Sequence, residues 1–293
     1  MTGKRVLGVA TVLVLTAGMA ACSDGDDTSD GKSKDGAKGT SASQKGASEA
    51  QVVRAAHQKT TAADTAKMTL ASEAAAAGKS VTVRGTGVMD LEDGASSMTL
   101  TSQGQEIQQR VLDGVVYQKA PAEQRAQLDL PKNKTWMKID PARLKGSGGT
   151  GGQVNDPAES FAYTKGVTDG DVTKVGTETI DGARTTHYRV KVDVKDLAKG
   201  DQAKAEQLRK QLGTSTLPLE LWLDDEGRLR QETIRLTLRP QSGAGQKDQK
   251  VTSTTTLKFS DFGTEADVEA PAAADTVDVT KKLADASKSQ DTA

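Results

Sequence analysis

The sequence predicts an α+β fold, a strongly curved antiparallel β-sheet forming a half-barrel of about ten or eleven strands, covered on its concave face by about three helices. Three observations carry this expectation. Apolar residues alternate with Thr, Ser, Arg and Asp through much of the middle of the chain, the period of strands with one wet face. Asp-Gly pairs punctuate those runs as hairpin turns, because both turn positions need a positive φ that Asp and Gly tolerate. Helix-start signals are few, so a large sheet with one apolar face must curl around the helices available.

In chain order, the first element is a helix. Ser48 and Gln51 have capping-box spacing, and a helix is expected from Glu49 to about Ala63. Alternation then takes over at Met68 and Leu70, at Val81, Val83, Met89 and Leu91, and at Met98 and Leu100. Asp113-Gly114 and Asp181-Gly182 read as two-residue hairpin turns, and Asp225-Glu226-Gly227 as a longer one joining Leu219–Leu223 to Leu229–Leu238. Further strands are expected at Thr135–Ile139 and Val251–Phe259. A second helix is expected from the cap Asp156, with Pro157 at its first position and Glu159 behind it, running through Phe161. The third, Asp201 to Leu212, has Ala205, Leu208 and Leu212 on one face and stops at Gly213.

The two ends of the chain read differently from the middle. Lys4 and Arg5 precede an uncharged apolar run, Val6 to Met19, too short to span a bilayer, which ends in Met19-Ala20-Ala21-Cys22. This pattern marks residues 1–21 as a signal peptide and Cys22 as a lipidated first residue, attached to the membrane through acyl chains such as palmitate. Residues 22–48 form a tether, since Ser23 to Ala47 contains no Leu, Ile, Val or aromatic residue able to build a core. Residues 49–271 are then a single domain, and 272–293 an Ala-, Asp-, Lys- and Ser-rich tail expected to be flexible, with room for one short helix.

Composition excludes several functions. With 39 basic against 40 acidic residues and a net charge of −1, no positive field is present to hold a nucleic-acid backbone. One cysteine and two histidines exclude a disulfide scaffold and a Cys/His zinc site. Gly146-Ser147-Gly148-Gly149-Thr150-Gly151 matches G-x-G-x-x-G in letters, but no helix opens within it, so it reads as a loop. Asp261-Phe262-Gly263 lacks the companion motifs of a kinase and reads as a strand end. No Gly-x-Ser-x-Gly elbow occurs, and His57 and His187 read as surface or packing residues. The expectation is therefore a protein that is not an enzyme, with no cofactor and no metal.

The apolar residues give the candidate site. Met68, Leu70, Val83, Met89, Met98, Leu100, Ile107, Val111, Trp136, Leu219, Leu221, Leu223, Ile234 and Leu236 are spread over many strands. A sheet of this size under so few helices leaves volume unfilled, and Met suits an adaptable lining. They are the candidate lining of a cavity for a lipid.

Several stretches carry a family resemblance: Asp156-Pro157 with its helix, Val175 to Gly182 leading to Thr186-His187-Tyr188, Leu217 to Asp224 with the Gly227 turn, and Phe259 to Gly263 running on to Ala270-Pro271. Together with the segment ending at Cys22, they make the chain similar to the actinobacterial lipoproteins of the LppX and LprG type, whose domain resembles the LolA and LolB carriers. The resemblance covers most of residues 49–271. It implies a half-barrel around helices enclosing a hydrophobic pocket, and some relatives carry acylated glycolipids or other lipids across the cell envelope. The partners implied are a lipid or acylated ligand and the membrane on its extracytoplasmic face. The alternative is an envelope sensor or protein-interaction domain that carries no lipid.

Overall fold

The computed structural model describes residues 47–119, 121–127, 130–144, 164–198, 201–238 and 250–291. The segment to Cys22, the tether up to residue 46, the glycine loop at 146–152 and the helix expected at 156–161 lie outside the described residues.

Twelve strands form one sheet. They are β1 Thr65–Ala76, β2 Lys79–Asp90, β3 Ser96–Ser102, β4 Gln105–Leu112, β5 Val115–Lys119, β6 Trp136–Ile139, β7 Val172–Ile180, β8 Ala183–Asp193, β9 Thr216–Asp224, β10 Leu229–Leu238, β11 Val251–Ser260 and β12 Thr276–Asp278. The spatial order is β12-β6-β5-β4-β3-β2-β1-β11-β10-β9-β8-β7. β12 runs parallel to β6, and the other neighbours are antiparallel.

The turns follow from their residues. Asp113-Gly114 and Asp181-Gly182 both adopt positive φ at each position, as a type I′ hairpin requires. Two further turns of the same kind, Ala77-Gly78 and Gln103-Gly104, place a residue less suited to positive φ first. β2 carries Gly85 and Gly87 on the row positions that face β3 and β1. A Cβ on Gly87 would run into the Ser97 carbonyl oxygen of the next strand, so only glycine allows β2 and β3 to approach this closely.

The helices are α1 Glu49–Thr61, α2 Ala122–Gln127, the single turn α3 Val194–Leu197, α4 Gln202–Leu212 and α5 Thr280–Asp291. α1 starts with both bonds of the capping box: Ser48 Oγ accepts from the Gln51 N–H, and the Ser48 N–H donates to Gln51 Oε1. Ala50, Val53, Ala56 and Thr60 make its buried face. The Ala50 N–H donates to Asp169 Oδ1 at 3.3 Å, Arg54 to the Val167 carbonyl at 2.6 Å and Lys59 to the Glu226 carbonyl at 2.9 Å, which pins α1 at its start, middle and end. α4 is capped by Asp201 and ends at Gly213 in the left-handed region, as its sequence predicts.

Beyond residue 271 the chain carries the one short helix for which the sequence leaves room, preceded by a short strand. Val277, Val279 and Leu283 pack on Val111, Val116, Met137 and Ile139, and the segment adds β12 and α5 to the fold. Three spaced aliphatic residues suffice because β6 offers an unpaired edge and an apolar patch beside it.

Candidate functional site

The pairing register assembles the site. One row across the sheet reads Ile107, Leu100, Gly85, Leu70, Leu257, Glu232, Leu221, Tyr188. The next reads Met137, Gln118, Gln109, Met98, Gly87, Met68, Phe259. A third contains Val83, Thr255, Ile234, Leu219 and Val190, and a fourth contains Ile139, Val116, Val111, Ser96, Met89 and Ala66. Because side chains alternate strictly along a strand, these rows share one face. The buried side of α1 packs into the same cluster, so this face is the one the helices cover.

Thirteen of the fourteen candidate residues lie on that inner face; the exception is Trp136. Met68, Val83, Met89, Met98, Leu100, Leu219, Leu221, Leu223 and Ile234 belong to the main apolar cluster, with Leu70, Ile107 and Leu236 packed against it. Val111 belongs to a second cluster with Val116, Met137, Ile139 and Val279. Trp136 pairs with Lys119 and points to the outer face, beneath the Arg110 guanidinium 5.1 Å from its ring. Its neighbour Met137 takes the inward position. Sequence reading missed Met137 and Phe259, both buried on the same rows.

A polar seam divides the two clusters. Ser96, Gln109 and Gln118 are buried on the inner face between them, and Gln118 Nε2 donates to Gln109 Oε1 at 2.9 Å. On the main-cluster side, Gly85 puts no side chain of its own into the row. A Cβ there would fall 2.6 Å from Leu100 Cδ2 and 2.9 Å from Met98 Cε, so these two flexible side chains lie across the glycine. Two ionisable groups also occupy the face. Glu232 is buried between Leu257 and Leu221, and burial, with Glu49 nearby, pushes the Tyr188 hydroxyl above its usual range.

The outer face holds most of the remaining ionisable chemistry. His187 stacks on Trp222 with centroids 4.2 Å apart; its Nδ1 lies 3.4 Å from Glu178 and its Nε2 3.3 Å from Glu220. Trp222 donates to Glu178, and Arg235 pairs with Glu220 at 3.1 Å. No hydroxyl or thiol nucleophile stands beside this imidazole among these contacts, and the arrangement ties β7, β8, β9 and β10 together. His57 is half-buried within α1. At the β9–β10 turn, Asp224 accepts from the Arg228 N–H and from the Arg228 and Arg230 side chains, while both guanidiniums lie over the Phe262 ring. Among the described residues, no group of His, Cys, Asp and Glu is arranged to hold a metal ion, and no helix is long and apolar enough to cross a membrane.

No family model matches the chain. It is 35% identical over 162 residues to an uncharacterized 31.2 kDa protein of Streptomyces griseus from the rplA-rplJ intergenic region. That match covers 51% of this chain and 50% of the relative, so the chain spans about half the length of the curated protein it matches. Among solved structures it is similar to the lipoprotein LppX of Mycobacterium tuberculosis, at a TM-score of 0.43 and 17% identity, over 74% of this chain and 98% of that one. LprF of Mycobacterium bovis matches at a TM-score of 0.42 and 12% identity, over 76% and 97%. MucB bound to MucA of Pseudomonas aeruginosa matches at 0.30 and 16%, over 75% and 59%.

Proposed function

We propose that this protein is an extracytoplasmic lipoprotein, anchored through acylated Cys22, that binds a lipid or acylated molecule against the inner face of its sheet and carries or presents it within the cell envelope. The observation that supports this most is the register, which gathers aliphatic and Met side chains from β1 to β4 and from β9 to β11 onto one face. An acyl chain leaving a membrane exposes apolar surface at about 25 cal/mol per Å², and such a face can shield it without covalent chemistry. Met98 and Leu100 are the residues that make room. Both lie over Gly85 and can swing off it, because Met has three rotatable side-chain bonds and the glycine beneath offers no Cβ.

A second reading rests on the same side chains. In this structure Met98, Leu100 and Leu221 are almost wholly buried, as in a solid core, which is what a sensor or protein-interaction domain requires. Leu100→Trp and Leu221→Trp separate the two. If the face opens to receive a lipid, each variant binds a fluorescent fatty-acyl probe more weakly than the parent, with a nearly unchanged melting temperature. If the face is a permanent core, the insertions cost about 1–3 kcal/mol and the parent binds no probe.

A further inference from the structure

The sheet ends on one side in β12, which has 3 residues, and on the other in β7, which has 9. Every residue of β7 from 173 to 179 is exposed. A long open edge is a template for another strand, and folds shorten, cover or charge such edges where no strand is to be added.

The register shows which backbone groups of β7 are open. Ile180 and Ala183 flank the two-residue turn Asp181-Gly182, so they exchange both ladder bonds, and bonded pairs then alternate along the hairpin. Glu178 and Gly176 therefore turn their N–H and C=O toward β8, while Thr177 and Thr179 turn theirs away from it. Beyond the bulge at Val175 the Lys174 N–H also leaves the hairpin, and Glu49 of α1 accepts it at 3.1 Å. Thr177 and Thr179 have no such partner among the described residues.

Side chains give this stretch a chemical character. Glu178 lies on the outer face between the two threonines, and its Oε1 accepts from Trp222 Nε1 at 2.6 Å beside His187. The carboxylate is thus held in place while its side chain stays 49% exposed. Val175, in the bulge, is the one exposed large apolar side chain among the described residues, and a Cβ on neighbouring Gly176 would meet nothing within 4 Å. A positioned carboxylate flanked by open backbone fits an extended segment with Lys or Arg opposite Glu178 and an apolar residue two positions on, over Gly176 and beside Val175. A second copy of this chain, paired through both threonines, would instead set Glu178 against its own counterpart, and like charges directly opposite destabilise a strand pair.

We infer that residues 175–179 of β7 are a docking edge for an extended segment of a partner protein, which adds a strand to the sheet and places a basic residue opposite Glu178. The site lies on the rim of the sheet and does not depend on what the inner face binds.

The test follows backbone amide exchange of the full chain with the pentapeptide acetyl-Val-Thr-Lys-Thr-Val-amide. Bound peptide slows deuterium exchange at Thr177 and Thr179 at least about fivefold, while β1 to β4 keep their rates. The same peptide with Glu in place of Lys gives no protection. Glu178→Gln keeps an oxygen for Trp222 but removes the charge, and weakens binding of the Lys peptide at least about tenfold. Thr179→Pro removes an outward N–H, which an edge strand tolerates, and abolishes binding. No protection by the Lys peptide at millimolar concentration, or equal protection by the Lys and Glu peptides, overturns the inference. So does undiminished binding by Glu178→Gln. Protection of Thr177 and Thr179 that rises with protein concentration and needs no peptide would assign the edge to a second copy, and overturns it as well.

Discussion

Trp136 and Met137 stand side by side in β6 and face opposite ways, Met137 into the core and Trp136 under Arg110. Lys138 shares the side of Trp136 and Ile139 the side of Met137, so the period of two in this four-residue strand already favours Met137 as the inward residue, and the size of the Trp136 ring outweighed it in the sequence reading. Longer strands such as β3, where Thr99 separates Met98 from Leu100 and Ser97 and Thr101 flank them, reveal their inner face unaided. The sequence does not disclose the partners of Asp224, a turn carboxylate whose side chain is only 3% exposed. Burial pushes its pKa up, but the Arg228 N–H and the Arg228 and Arg230 side chains outweigh that and hold it below the ordinary carboxylate value of 3.8. Its contribution is therefore complete above that ordinary value and is lost as pH falls through the lower value of the folded state. Asp224→Asn removes the counter-charge of Arg230 and one of the two carboxylates that face Arg228, and should cost about 1–3 kcal/mol at neutral pH. Thermal melts from pH 7 down to pH 3 should show the variant less stable at pH 7 and the gap narrowing with acid. A gap that stays constant with pH would show that the carboxylate charge contributes nothing.

At the scale of elements, capping and turn chemistry were readable wherever a single residue type answers a single geometric need. Ser48 with Gln51, Asp201 with Gly213, and the two Asp-Gly turns all do so. Ala77-Gly78 and Gln103-Gly104 make the same kind of turn, but their first residue gives no local signal, and only the pairing of the flanking strands holds it at positive φ. The C-terminal strand was illegible for a related reason, whereas the short helix after it was allowed for: the strand depends on an edge and an apolar patch contributed by β4 to β6, distant in sequence. Within β2 the two glycines make separable predictions. Gly87→Ala places a methyl against backbone, which cannot move aside, and should cost about 2–3 kcal/mol in urea unfolding. Gly85→Ala meets only the ends of Leu100 and Met98 and should cost clearly less. Equal losses at the two positions would mean that the close approach of β2 and β3 does not rest on Gly87.

For the molecule as a whole, a curved sheet with one apolar face was legible because thirteen of the fourteen chosen residues share the parity that the pairing requires. What the apolar face receives was not, since alternation records which side avoids water and not what lies against it. The proposed anchor gives a means of separating membrane attachment from binding. Cys22→Ala should abolish acyl labelling and release the protein from membranes, and retention of the variant on membranes would refute the anchor. The released variant is then suited to native mass spectrometry after incubation with a mixed phospholipid and fatty-acid extract. The account predicts a lipid adduct of one molecule per chain that is lost in Leu221→Trp; a bare protein mass at every lipid concentration would contradict the claim that the inner face binds lipid.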